Sequence, residues 1–169
     1  MASQPARMLQ LAFGGGAAGS AGRANNLVAA GPSLWARAAL GPIAAGRLSG
    51  SYLFSRQGVG DDGPYRAQLL SVALTLSGAL PALPALRAGA GVELLRLAVK
   101  TSAGASGSAL LVGPLVELEG RLPLGRLTLI LLARGTLHRS DGIETDTTLL
   151  FHHPTVTLGV VLGVEFEVL

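Results

Sequence analysis

Residues 154–169 read PTVTLGVVLGVEFEVL, and their alternation decides the fold. Val156, Leu158, Val160, Leu162, Val164, Phe166 and Val168 take every second position, with Thr155, Thr157, Gly159, Val161, Gly163, Glu165 and Glu167 between them. A period of two sends alternate side chains to opposite faces of a β-strand, so the two faces meet different media. The first set carries no polar side-chain atom, and the segment outlasts the about 5–6 residues of an ordinary strand.

The same pattern recurs upstream. Met8–Phe13 places Leu9, Leu11 and Phe13 on one side. Leu27–Leu40 and Ile43–Ser55 flank Gly41-Pro42, a turn signal, and read as a hairpin. In these, Leu34, Ala36, Ala38, Leu40, Leu48, Tyr52 and Phe54 oppose Trp35, Arg37, Ala39, Arg47, Ser49, Ser51 and Ser55. Arg66–Leu80, Ala109–Arg121 and Arg126–His138 alternate in the same way. Arg87–Lys100 breaks step: Val92 and Leu94 oppose Glu93, but Leu95, Leu97 and Val99 then take the apolar role opposite Arg96. A β-bulge near Leu94-Leu95 restores the pattern and puts Arg96 on the polar face; a short amphipathic helix over residues 93–100 is the rival reading. Residues 67–86 have the length of a membrane helix, but Pro81, Pro84 and an alternating first half favour strands.

Counted along the chain, these are eight alternating segments joined by connections of alternating length. Residues 14–26, 56–65, 101–107 and 139–147 read as long polar loops; Gly41-Pro42, 81–86 and 122–125 read as short turns. An up-and-down meander then gathers the long loops at one end and the turns and termini at the other, the asymmetry of a bacterial outer-membrane barrel. The expected fold is all-β: one eight-stranded antiparallel transmembrane β-barrel over residues 1–169, consistent with the membrane domain of a longer exported chain. Pro32 and Pro114 fall inside expected strands and call for bulges.

Charge supports the same medium. Only 14% of residues are charged, against about 25% in a typical soluble domain. Lys100 is the single lysine. Glu93, Glu117, Glu119, Glu165 and Glu167 lie on the polar strand face, and the other acids lie in two of the loops. Arg37, Arg47, Arg121, Arg126 and Arg134 share that polar face. Eight strands leave an interior that side chains just fill, so the polar face is expected to form a packed lumen of Arg, Glu, Ser and Thr. The expected register sets Arg126 opposite Glu165, in a cluster of Glu119, Arg121, Arg126, Glu165 and Glu167 at the turn-side mouth, since a buried charge needs a partner.

On these strands the chain resembles the small eight-stranded outer-membrane β-barrels, the class containing OmpA-like transmembrane domains. The resemblance implies the bacterial outer membrane, a lipid bilayer as the principal partner, and a structural or loop-displayed role. An extracellular partner would then meet residues 14–26, 56–65, 101–107 and 139–147. Aromatic girdles are thin, with Phe13, Tyr52, Phe54, Tyr65 and Phe151 expected at the outer rim and Phe166 at the inner one.

Specific chemistry is sparse. There is no Cys, hence no disulfide or Cys-based zinc site. No basic run interleaves with aromatics, so nucleic acid is not an expected partner. His138, His152 and His153 flank the fourth loop without the spacing of a metal or catalytic motif and read as rim residues. GVGDDG at 58–63 lacks the distal Glu of a calcium loop, and Gly14–Gly16 lacks the Lys-Ser/Thr of a phosphate loop. Glu117 and Glu119, beside arginines, read as structural ion pairs. A monomeric barrel without catalytic residues, cofactor or metal is expected. The alternatives are a soluble lipocalin-like barrel for an apolar ligand and a lipid-modifying membrane enzyme with a catalytic Ser or His at the lipid-facing rim.

Overall fold

The computed structural model describes residues 9–22, 27–41, 43–60, 63–102, 104–139, 142–144, 149–152 and 156–168. Its strands are β1 (Leu9–Gly22), β2 (Leu27–Leu40), β3 (Ala44–Gly60), β4 (Gly63–Leu80), β5 (Leu83–Thr101), β6 (Ser106–Leu124), β7 (Leu127–Leu137), β8 (Gly142–Glu144), β9 (Leu149–His152) and β10 (Val156–Glu167). Eight of them close a barrel in the order β1-β10-β7-β6-β5-β4-β3-β2, and β8 and β9 form a separate hairpin. Every neighbouring pair is antiparallel. Closure leaves the barrel no free edge, so each of its eight strands finds both its ladders.

The outer face is apolar and the inner face at the turn-side end is charged. Leu34, Leu48, Leu74, Val116, Leu158 and Leu162 are exposed, whereas Arg37, Arg47, Glu117, Glu119 and Glu165 are buried. That distribution is inside-out for a body in water and right for one in hydrocarbon, where outward positions form an apolar band.

Three of the four expected loops shrink on folding. Residues 14–22 belong to β1, because β2 and β10 supply ladders on both sides of a glycine-rich segment whose own sequence has no period. β3 and β4 continue to Gly60 and Gly63, and β5 and β6 to Thr101 and Ser106, so polar residues there extend the strands. The fourth connection carries the β8–β9 hairpin, with β8 against β6 and β9 against β3 and β5. Since β3 and β5 lie away from β7 and β10 in the strand order, this hairpin reaches across the mouth. The turn-side connections are as short as expected, with Gly41 at φ 77° and Gly125 at φ 70°, the left-handed conformation that glycine adopts without strain.

The seam is also shifted. β10 pairs with Ala12–Gly22, not with Met8–Phe13, and Val168 adds a backbone bond to the Leu11 carbonyl at 3.0 Å. Phe13 therefore faces Phe166 at the turn-side end instead of standing at the outer rim. Tyr65 is buried in the lumen. Tyr52 and Phe54 do face outward, with ring centroids 6.4 Å apart. The Phe151 side chain lies outside the described residues.

Neither proline sits at a bulge. Pro32 falls where the β2–β3 ladder skips from Ala30 to Ser33 with no change of register. Pro114 lies just past Leu115, where β6 outruns β7, and so has no β7 partner to lose. Bulges occur instead at Ser55/Gly58 and Ala79/Leu80.

Residues 93–100 form strand, and no bulge interrupts them: Leu94, Leu95 and Arg96 pair in order with Val72, Ser71 and Leu70. Leu95, Leu97 and Val99 point inward and are buried, and Arg96 points outward. The strand does not slip; its surroundings change. Above Glu93 the lumen becomes apolar, and the outward face takes up polar residues.

Candidate functional site

The lumen is where the described residues bring acids and bases together, and β10 supplies its first anchor. Glu165, 1% exposed, accepts hydrogen bonds from three donors. These are Trp35 Nε1 at 3.1 Å and Arg37 Nε at 3.0 Å, both on β2, and Arg121 Nη2 on β6 at 2.6 Å. Room for the indole comes from glycine: a Cβ on Gly14 or on Gly163 would collide with the Trp35 ring. Gly14 of β1 and Gly163 of β10 thus make room for a tryptophan.

From Glu165 the ion pairs run as an unbroken alternating chain. Arg121 Nη1 reaches Glu119 at 2.8 Å, Arg47 Nη1 reaches the other Glu119 oxygen at 2.6 Å, and Arg47 Nη2 pairs with Glu117. Arg134 lies 3.4 Å from Glu117 and 3.6 Å from Glu93, and His138 Nε2 lies 3.7 Å from the second Glu93 oxygen. Thr75 donates to Glu117 at 2.9 Å and Arg134 to Ser49 at 3.0 Å. Four carboxylates, Glu93, Glu117, Glu119 and Glu165, meet four guanidinium groups, Arg37, Arg47, Arg121 and Arg134. Burying an ion costs several kcal/mol after relaxation, and only close, hydrogen-bonded partners offset it. Each of these acids touches two cationic side chains or, in the case of Glu93, an arginine and a histidine.

Eight of the ten residues singled out in the sequence are in this chain; Arg126 and Glu167 are not. Thr128, not Arg126, faces Glu165. Arg126 occupies the β6–β7 turn and Arg121 faces Ile130, so the register sits further along both hairpins than expected. Arg126 and Glu167 are exposed at the turn-side mouth. The sequence also left out Trp35, Arg87 and His138. Arg87 is buried and donates to the Ile43 carbonyl at 2.7 Å. His138 lies 2% exposed inside the lumen, not at the rim, because it follows β7 at an inward position. The parity of Trp35 and Arg87 with inward neighbours was the signal available for both.

Above this chain the lumen is lined by Leu27, Leu53, Tyr65, Leu69, Leu95, Leu97, Val99 and Leu111. A cavity of about 50 Å³ lies where the two layers meet, bordered by Ser51, Ser71, Glu93, Arg134, Thr136 and Thr157 among others. No cluster of three or more metal-ligating side chains occurs among the described residues. The acids are committed to arginines on other strands, so the arrangement holds the wall together across the lumen.

A closed up-and-down barrel, apolar outside and ion-paired within, defines the fold class: a small eight-stranded outer-membrane-type β-barrel. No protein-family model matches the chain, and no curated protein matches it in sequence. Among solved structures it is similar to a major outer membrane protein from Thermus thermophilus, with a TM-score of 0.71 over 95% of this chain and 99% of that one, at 14% identity. It is also similar to Ail, the attachment invasion locus protein of Yersinia pestis, with a TM-score of 0.60 over 94% and 98% of the two chains at 10% identity. A structure of Ail with the heparin analogue sucrose octasulfate gives a TM-score of 0.55 over 95% and 97%, again at 10% identity. The likeness at these identities is one of fold.

Proposed function

We propose that this chain is a monomeric, non-conducting barrel of the bacterial outer membrane with a structural role, residues 1–169 forming a single domain. The observation that carries the reading is the pair of luminal layers: a continuous ion-paired chain from Arg37 to Glu93, and an apolar layer around Leu95, Leu97 and Val99 above it. An ion crossing the lumen must displace the first and shed its water in the second, which is strongly unfavourable. Short loop-side connections favour the structural role over display of long loops, and leave the β8–β9 hairpin as the main surface for an extracellular partner.

Two measurements on the detergent-extracted protein test this. Gel mobility of boiled and unboiled samples is expected to differ, as for a barrel that resists detergent until heated. Planar bilayers are expected to show no steady unit conductance. Full solubility without detergent would support the lipocalin-like alternative and sink the membrane reading. A reproducible conductance would sink the closed lumen.

A further inference from the structure

We propose that Arg66, Lys100 and Arg96 form a lipid-facing site for the phosphate of an anionic lipid headgroup in the outer leaflet. The inference rests on the reading of the chain as a membrane-spanning barrel.

All three side chains are exposed on the outward face. Arg66 of β4 pairs directly with Lys100 of β5. Side chains so paired have Cβ atoms about 4.5–5.5 Å apart, and like charges there destabilise the sheet unless something compensates them. Nothing in the described structure does: no carboxylate among the described residues faces outward on β4, β5 or β6. An anion seated between the two heads removes the repulsion and turns it into two charge-assisted hydrogen bonds.

The neighbouring positions fit a phosphate. Ala98 sits between Gln68 of β4 and Ser108 of β6, and Lys100 also pairs with Ser106. The small Ala98 side chain leaves a depression bordered by Arg66, Gln68, Lys100, Ser106 and Ser108. Arg96, two residues below Ala98, lies between Leu70 and Leu110. Its long aliphatic stem can run along those leucines while its head turns up toward the depression.

Depth selects a lipid headgroup. From Leu86, near the turn-side end, to Arg96 the strand climbs ten residues, about 25 Å along the barrel axis at the usual rise and tilt. That matches the about 25 Å height of the apolar band, so Arg96 stands at its upper edge and Arg66 and Lys100 just beyond, at headgroup level. Below Arg96 the outward face is Leu94, Val92 and Ala90, surface for acyl chains.

The test uses the delipidated full chain in non-ionic detergent, with phosphatidylglycerol, phosphatidylcholine and inorganic phosphate as probes. Native mass spectrometry reads retained lipid, and the heat-dependent gel shift reads the midpoint of unfolding. The wild type is expected to retain phosphatidylglycerol about tenfold over phosphatidylcholine, with a raised midpoint. Arg66→Gln/Lys100→Gln is expected to lose that preference and keep its heat-dependent shift. Arg96→Gln, which leaves the cross-strand pair untouched, is expected to lower retention as well and stands in should the double variant not fold. Equal retention by these variants, or no preference in the wild type, overturns the site. Inorganic phosphate raising the midpoint as much as phosphatidylglycerol overturns the headgroup assignment in favour of a free-anion site. Failure of the membrane reading itself is seen separately, as a wild type with no heat-dependent shift.

Discussion

Trp35 and Glu165, 130 positions apart, are joined by a hydrogen bond from the indole Nε1 to a carboxylate oxygen at 3.1 Å. The bond crosses β1, whose Gly14 lies under the indole. It ties β2 to β10 over the seam that closes the barrel, and Arg37 and Arg121 converge on the same carboxylate. Glu165→Ala is therefore expected to leave two buried guanidinium groups short of a partner and to destabilise the barrel by about 3–5 kcal/mol. Reversible unfolding by urea in detergent or lipid vesicles measures it; an unchanged midpoint refutes the role of Glu165 as the anchor.

Glu93→Gln tests the other end of the chain and is expected to cost less. Arg134 keeps Glu117 at 3.4 Å and Ser49 at 3.0 Å, whereas the Glu93 contacts are its longer ones, 3.6 Å to Arg134 and 3.7 Å to His138. A loss of about 1 kcal/mol is expected, within the range for one hydrogen bond to a charged or neutral group. The same denaturation experiment ranks the two variants, and a larger loss for Glu93→Gln would invert the order argued from these distances.

The two sides of the wall should respond unequally to the same change. Leu74 is outward and 62% exposed, while Leu97 is inward and fully buried. Leu74→Arg places a charge in the apolar band and is expected to cost about 2–4 kcal/mol in lipid vesicles; Leu74→Ala is expected to cost far less. Leu97→Ala opens a cavity in a packed layer, at about 2–5 kcal/mol. Comparable losses for the two alanine variants would contradict the assignment of faces.

The strands that carried their own alternation were readable because the period of two is imposed by geometry and the two faces by medium. β2, β3, β4, β6, β7 and β10 have the expected residues inward. Where the sequence misled, the cause was non-local. Gly14–Gly22 has no apolar face of its own, and only pairing with β2 and β10 makes it a strand. In β5 the inward face changes from Glu93 to Leu95 because the lumen itself changes character with depth, and a rule that assigns one polarity to one face reads that change as a bulge. The acids and most of the arginines of the ion-paired chain were evident from parity, but who pairs with whom was not. Arg37 and Glu165 lie on strands separated by β1, and Arg47 meets Glu117 and Glu119 across the lumen. Such contacts follow from closure and stagger, which a one-dimensional pattern does not encode.

Closure also separates the two candidate seals. The β8–β9 hairpin lies across the mouth, but the apolar layer of Leu95, Leu97 and Val99 sits below it in the lumen. If that layer excludes ions, replacing residues 142–152 with a short glycine-serine linker should leave the barrel non-conducting in planar bilayers. The linker joins β7 to β10, neighbours already paired from Val156 to Phe166 against Leu137 to Leu127, so the barrel itself has no reason to come apart. Its heat-dependent gel shift is expected to persist. A steady conductance in this variant, with the shift intact, would assign the seal to the hairpin instead of the layer beneath it.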